Sequence, residues 1–344
     1  AQSATGGASP IVVGDVVVIG GTVDGAGDSG TKWKNSVPED IRGYDVRTGE
    51  LRWTFHVVPK PGEFGAETWG AGSLAESGDL GAWCCLSADL ELGYVYVPLT
   101  APTAAYYGGH RPGDNLFSNS LVALDAATGR RIWHFQMVHH DLWEYDTIGP
   151  PTLGEITVDG RRIRVVMQPS KTGFLYVFDR VTGEPVWPIE ERLVPRSTVP
   201  GEHASPTQPF PTKPPPFAHQ GVTHEDLIDF TPDLAARAQA QARRLLLGPI
   251  FTPPSLIGTE PDSTRGTLAL PGSWGSGNWN TGAFDPDTGL FSQKLSQASE
   301  KFRPVLLKIF GFGLQSLSFC GFQFGATALF CRNSRKRRVQ IGPQ

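Results

Sequence analysis

The chain has 344 residues, with 41 Gly, 29 Pro and 9 Trp, and long amphipathic helical patterns are nearly absent. This composition argues against a helical fold and for an all-β chain with many turns, in which one large domain can exceed the usual size. A formal net charge of −4 excludes a basic footprint for nucleic acid over the body of the chain. The 4 Cys, one adjacent pair and two late singles, lack the CxxC spacing of a metal site. The sequence opens at Ala1 without a charged and apolar leader. A signal peptide is therefore absent from these residues, which does not argue for the cytoplasm.

In chain order, one unit recurs: a strand ending in Asp, a turn with Thr-Gly, then a strand carrying Trp. Its copies are IRGYDVRTGELRWTF (41–55), LVALDAATGRRIWHF (121–135), FLYVFDRVTGEPVWPI (174–189) and a truncated TGAFDPDTGLF (281–291). In each, an aspartate (Asp45, Asp125, Asp179, Asp285) precedes a glycine by four positions. Asp accepts backbone hydrogen bonds in such turns, and Gly supplies the positive φ. Trp53, Trp133 and Trp187, eight residues after their aspartates, read as packing residues between neighbouring sheets. Repetition of a hairpin-and-Trp unit indicates a β-propeller.

The copies are spaced 80, 54 and 106 residues apart, so long insertions separate them. The Pro-rich stretch 195–217 is expected to be an extended surface segment wrapping the sheets, with a linker as the alternative. Residues 232–247 read as the one helix, with Thr231 as N-cap and Pro232 in the first turn. From about 292 the pattern stops. Residues 309–331 carry no charge and are followed by Arg332, Arg335, Lys336, Arg337 and Arg338. Gln315, Ser316, Ser318 and Gln323 make that run a poor membrane span. The expected division is thus a propeller portion over 1–291 and an atypical tail over 292–344.

Several stretches carry a resemblance. They include ASPIVVGDVVVIGG (8–21), VPKPGEFGAETW (58–69), YYGGHRPGDNLFSNSLVALDAATG (106–129), WHFQMVHHDLWEYD (133–146), PSKTGFLYVFDRVTGEPVWPIEER (169–192) and SPTQPFPTKPPPF (205–217). Over roughly residues 5–290 the chain resembles pyrroloquinoline-quinone (PQQ) dependent dehydrogenases, especially the glucose and quinate dehydrogenase branch. The resemblance implies an eight-bladed propeller with the quinone on its axis. About four units occur here, so the chain looks like an incomplete propeller.

The resemblance also implies chemistry: oxidation of a hydroxyl group on a sugar, polyol, quinate-like acid or alcohol, with hydride passing to PQQ and electrons onward to a quinone or cytochrome. It implies a periplasmic location, with membrane association an open possibility. By motif position, Asp114 in RPGDN matches the catalytic aspartate and a contact of Ca²⁺, which polarises the quinone carbonyl as a Lewis acid. A carboxylate with a reference pKa near ~3.9 is ionised at neutral pH and can take a proton. The simpler reading of P-G-D-N is a turn. Trp83 in GAWCC matches the indole floor under the quinone, where flat surfaces bury area at little entropy cost; otherwise it is another packing Trp. Lys171 in PSKTGF matches the cation at the quinone oxygens, apt for a tricarboxylate; otherwise it is a solvated turn lysine. Asn278 in SGNWN matches a less specific Gly-Asn-Trp element near the cofactor.

The match departs at the Ca²⁺ site. Asn35 and Ser36 stand near the expected acid, and Ala101 stands where Asn is usual; Glu39 and Asp40 lie too close to the first repeat to replace the acid. Cys84 and Cys85 resemble the adjacent-cysteine disulfide that covers the quinone in some members of that family, but that pair belongs to an upstream segment, so they are expected to be buried thiols. His139 and His140 are expected to be structural, since neighbours on a strand point to opposite faces. The competing readings are a non-catalytic propeller scaffold and an inactive fragment of the enzyme.

Overall fold

The computed structural model describes residues 4–5, 8–23, 39–70, 72–103, 106–260, 262–280, 282–293 and 337–340. The fold is a β-propeller left open, its blades arranged as consecutive antiparallel meanders. The first blade comprises Ile11–Val13, Val16–Ile19, Ile41–Asp45 and Leu51–Phe55. The second comprises Ser87–Asp89, Tyr94–Pro98, Ser120–Asp125 and Arg131–Gln136. The third has Thr152–Val158, Arg161–Pro169 and Leu175–Asp179. Its outer edge is extended by a single bridge between Phe178 and Pro185. The strand SLVALD is buried on both faces, because it lies between two neighbouring blades. Val16–Ile19 instead alternates buried and half-buried residues.

The recurring turn forms as the sequence predicts. Asp45 Oδ1 accepts from the amides of Arg47 and Thr48, and Gly49 N donates to the Asp45 carbonyl with φ +74°. Asp125 and Gly129, and Asp179 and Gly183, repeat this arrangement. Each turn then serves the preceding blade. The Trp53 indole donates to the Ala126 carbonyl at 3.0 Å and covers Gly129, where a Cβ would lie 2.5 Å from its ring. Trp133 donates to Arg180 O at 3.3 Å and covers Gly183 in the same way. Thus Asp bends the turn, Gly leaves the space, and the Trp of one blade docks on the next blade's turn. Trp187 packs half-buried against the core of Ile156, Val165 and Met167.

Alternate connections of a meander lie at opposite ends of its strands. The short turns 46–50, 90–93, 126–130, 159–160 and 180–184 lie at one end. The connections 56–86, 99–119 and 137–151, and the five-residue connection 170–174, lie at the other. Trp83, Asp114 and Lys171 all fall in this second set.

Three expectations change in detail. The helix spans Pro232–Ala242, capped by Thr231, whose hydroxyl accepts from Leu234 N. It ends short of 247 because Leu246 and Gly248 bridge to Thr267 and Val222, and tertiary pairing outweighs local propensity there. Within the Pro-rich stretch, Thr207–Pro211 pairs with Ile189–Leu193 as a hairpin, and Gln208 is fully buried. Within the tail, Arg337–Gln340 pairs with Leu290–Gln293, beside Gly282–Asp285. Asn35, Ser36 and the uncharged run 309–331 lie outside the described residues.

The docking geometry sets a test. Gly49 and Gly129 both have positive φ, but a Cβ at Gly49 meets open space. Both Gly→Ala changes carry the left-handed backbone cost of roughly 1–2 kcal/mol. Gly129→Ala adds overpacking against Trp53, about 1–3 kcal/mol more. Denaturant unfolding should therefore rank Gly129→Ala clearly below Gly49→Ala; equal midpoints would remove the docked Trp as an inter-blade contact.

Candidate functional site

Hydrogen bonds join several of these connections to one another. Thr100 N donates to Gly81 O at 3.0 Å, and Gly81 N donates to Thr100 Oγ1 at 3.1 Å. Ala101 N donates to Asp146 Oδ1 at 2.7 Å, and Lys171 Nζ donates to Asp146 Oδ2 at 2.7 Å. Ser276 N and Gly277 N donate to the carbonyls of Lys171 and Ser170. Cys84 Sγ lies 4.0 Å from the Trp279 carbonyl, a contact but not a hydrogen bond because that sulfur is held in a disulfide, and it places this segment beside that of Trp83.

Lys171 is buried, not a solvated turn lysine, and Gly275 leaves room for it: a Cβ there would lie 2.3 Å from Lys171 Cβ. Burial pulls its ammonium down, but the charges of Asp146 and Glu144 more than offset this and hold it above the ordinary lysine value. Glu144 is half-buried with a left-handed backbone (φ +59°), and Tyr106 Oη donates to its Oε2 at 2.8 Å. Burial, opposed by Lys171 and reinforced by Asp146, pushes Glu144 up to about 7. Burial and the Asp146 charge push Asp79 up to about 6. Sequence reasoning misses Asp79, Glu144 and Asp146. A signal for the last two is present in HHDLWEYD, where carboxylates close a segment rich in buried aromatics.

The other expected residues sit around this group. Trp83 is half-buried between Ala82 and Cys84. Asp114 is exposed; its carbonyl accepts from Gln136 Nε2 at 2.7 Å and His140 N at 3.3 Å. Its carboxylate makes no hydrogen bond or ion pair among the described residues. Asn278 is buried, but its amide serves its own loop: Nδ2 donates to Trp274 O at 2.8 Å and Oδ1 accepts from Trp279 N at 2.7 Å. Cys84 and Cys85 form a disulfide and are not the buried thiols expected, because the turn from Trp83 into Ser87–Asp89 brings the sulfurs into bonding contact.

Behind the site, Asp141 is fully buried and accepts from Trp143 N, Tyr145 N and Asn119 Nδ2. The guanidinium of Arg111, also fully buried, donates to Asp141 O and Asn115 Oδ1. His140 Nδ1 donates to Gly113 O, and its Nε2 meets Glu202 Oε1 at 2.7 Å, while His139 Nε2 meets Glu191 Oε1 at 3.0 Å. The two histidines thus answer different carboxylates and share no ion. Of the seven non-glycine residues with positive φ among the described residues, Asp79, Asn115, Asn119, His140 and Glu144 belong to these connections. Such strain persists where the surroundings over-determine it, commonly at functional sites.

The residues present fit an anionic planar group. Lys171 is a buried cation, Trp83 offers a flat face, and Ser276 Oγ and Thr147 Oγ1 beside the Lys171–Asp146 pair are buried without a hydrogen-bond partner among the described residues. Buried hydroxyls left in this way are costly unless a ligand or water completes them. The fit is poorer for Ca²⁺. No group of three or more His, Cys, Asp or Glu among the described residues could hold a metal ion, and Asp114 is exposed.

Comparison with known proteins agrees with this picture. Residues 2–304 match the family described as PQQ, glucose/ethanol/alcohol dehydrogenase, beta-propeller domain. The chain is 34% identical over 290 residues to the quinoprotein glucose dehydrogenase of Escherichia coli, covering 81% of this chain and 33% of that protein. It is 30% identical over 314 residues to the quinate/shikimate dehydrogenase (quinone) of Acinetobacter baylyi, covering 86% and 36%. The solved quinohemoprotein alcohol dehydrogenase of Pseudomonas putida superposes with a TM-score of 0.57 at 26% identity, covering 86% of this chain and 37% of that one. The chain spans about a third of the length of the curated relatives it matches.

The raised carboxyls give a pH dependence of stability. Glu144 has an ordinary value of 4.5 and is pushed up to about 7, so the fold favours its neutral form. That contribution is full below about pH 4.5 and is lost as pH rises through about 7. Asp79 adds the same sign between 3.8 and about 6. Glu144→Gln, permanently neutral, should flatten the decline of the urea midpoint across this window. A variant that declines as steeply as its parent would place the Glu144 carboxyl in water.

Proposed function

Because the chain belongs to the PQQ-dependent glucose/ethanol/alcohol dehydrogenase β-propeller family, we propose that it serves as a quinoprotein oxidoreductase acting on hydroxyl groups of sugars, polyols, quinate-like acids or alcohols. The observation that carries this reading is the buried Lys171–Asp146 pair, with Glu144 in its electrostatic field and Trp83 in a connection at the same end of the strands. A buried cation flanked by hydroxyls that are buried without hydrogen-bond partners among the described residues supports a ligand site over a scaffold.

PQQ, when bound, supplies the electrophilic carbonyl that accepts hydride from the substrate carbon. Lys171 would hold an anionic oxygen of it, Trp83 would lie against its flat face, and Asn278 would shape the loop beside them. The chain itself must supply the base that takes the hydroxyl proton. Asp114 is the residue picked out by motif position, but its exposure leaves it solvated. Glu144 is partly shielded, lies in the field of Lys171, and is raised to about 7, where a general base works best at neutral pH. The geometry therefore favours Glu144, with Asp114 as the second candidate.

The proposed setting is the periplasm, with a quinone or cytochrome as electron acceptor. No helix among the described residues is long and apolar enough to cross a membrane.

Two measurements test the reading. Titration with PQQ should produce a quinone absorbance band that weakens in Trp83→Ala and Lys171→Met; binding unchanged in both variants would remove the cofactor site. Dye reduction with glucose, glycerol, quinate and ethanol, in the whole protein with all its blades, then separates the bases. Removing a general base lowers turnover by about 10²–10⁴-fold. The expected loss falls on Glu144→Gln, with Asp114→Asn within about fivefold of the parent. The reverse pattern restores Asp114.

A further inference from the structure

We propose that Tyr106 is the positioning residue for the Glu144 carboxylate: its phenol O–H grips Oε2, favours the ionised form against the opposing effect of burial and leaves Oε1 to face the substrate. The inference rests on the reading of Glu144 as the base.

Tyr106 and Glu144 come from different connections, 99–119 and 137–151, and meet through the Tyr106 Oη to Glu144 Oε2 hydrogen bond at 2.8 Å. The Tyr106 ring is 45% exposed, so packing alone does not fix it at the site. Glu144 reaches the contact from a left-handed backbone that a glutamate does not adopt without compensation. Its neighbour Tyr145 is pinned on both sides, with its amide on Asp141 Oδ2 and its hydroxyl on Pro271 O, which fixes the direction in which Glu144 leaves the chain.

The charged groups facing Glu144 are Lys171, Asp146 and Asp141, with Tyr106 as the uncharged donor. Lys171 donates to Asp146 at 2.7 Å and acts on Glu144 through its field alone, with no hydrogen bond to it. Asp146 and Asp141 repel a second negative charge. Tyr106 is therefore the neutral group that favours the ionised carboxylate without forming an ion pair that would quench its basicity. A hydroxyl donor suits this role, since it binds the anion and can follow it as the proton is taken up.

The test is a titration of Glu144 by carboxyl ¹³C NMR in the ligand-free chain, with the signal assigned through its loss in Glu144→Gln. Tyr106→Phe keeps the ring and removes the donor. The midpoint should move upward by about the tenfold in proton affinity that a hydrogen bond to a charged group supports. Tyr107→Phe is the control, because its hydroxyl contacts Pro200 O and not Glu144; it should leave the midpoint in place. An unmoved midpoint in Tyr106→Phe, or an equal shift in both variants, overturns the proposal. A midpoint that rises only in Tyr106→Phe, while Glu144→Gln still turns over normally, leaves the contact standing and overturns the reading of Glu144 as the base.

Discussion

Lys171 and Asp146 belong to separate connections, and both are buried, so each charge exists in this fold only because the other is beside it. Asp146 spends its second oxygen on the amide of Ala101. One carboxylate therefore fixes the positions of three connections at once: 99–119, 137–151 and 170–174. A buried ion pair is weak evidence for stability, because desolvation consumes most of its Coulombic gain. Its effect here is geometric. It sets where an ammonium points, and everything else at that end is arranged around it. Gly275 vacates the space against Lys171, and Ser276 secures the Lys171 carbonyl.

That arrangement depends on the blades keeping a constant relative position, which is the work of the opposite end. Trp53 and Trp133 each reach across to the following blade, donate a hydrogen bond to its turn and cover a glycine that no other residue could replace without collision. The contacts repeat with the blades, so a displacement in one would propagate to the next. The recurring turns at one end are regular because each repeats the same Asp and Gly hydrogen bonds. The connections at the other end are irregular and hold most of the left-handed non-glycine residues among the described residues. Stiffness and strain are thus divided between the two ends of the same strands.

The repeat makes the fold legible. Asp, Thr-Gly and Trp at fixed spacing are local chemistry, and each acts within one turn or on the next, so reading them in order yields blades. Lys171 is legible because its motif surrounds it. The carboxylates that give Lys171 its meaning are not. Asp146 is 25 positions away and Asp79 further still, and nothing local distinguishes them from surface acids. Asp114 stands out because RPGDN is a compact motif, yet a compact motif is also what an exposed turn requires. The disulfide escapes sequence reading for a related reason: two adjacent cysteines look alike in sequence whether bonded or free, and only the path of the backbone between Trp83 and Ser87 decides it. The helix is readable at its cap and not at its end, because the cap is a local hydrogen bond and the end is set by a bridge to Thr267.

Long-range pairing also bears on how much of a site a partial ring of blades can hold. The ion pair, the Tyr106–Glu144 contact and the Asp141–Arg111 network are all closed within residues 79–171. The hydroxyl of Ser276 and the loop of Asn278 come from a segment that follows the Pro-rich hairpin and the helix, and two backbone hydrogen bonds suffice to dock it on Ser170 and Lys171. Each of these groups is oriented by partners in the same set of blades, and none waits for an additional strand to define its direction. Enclosure is a separate matter, and the hydroxyls of Ser276 and Thr147 are buried without hydrogen-bond partners among the described residues. What these blades supply is therefore one preorganised wall, carrying the cation and the carboxylates. Affinity and exclusion of water depend on whatever completes the circle. Charge placement and enclosure are separable properties of a propeller site, because the first is made by contacts between neighbouring blades and the second only by the whole ring.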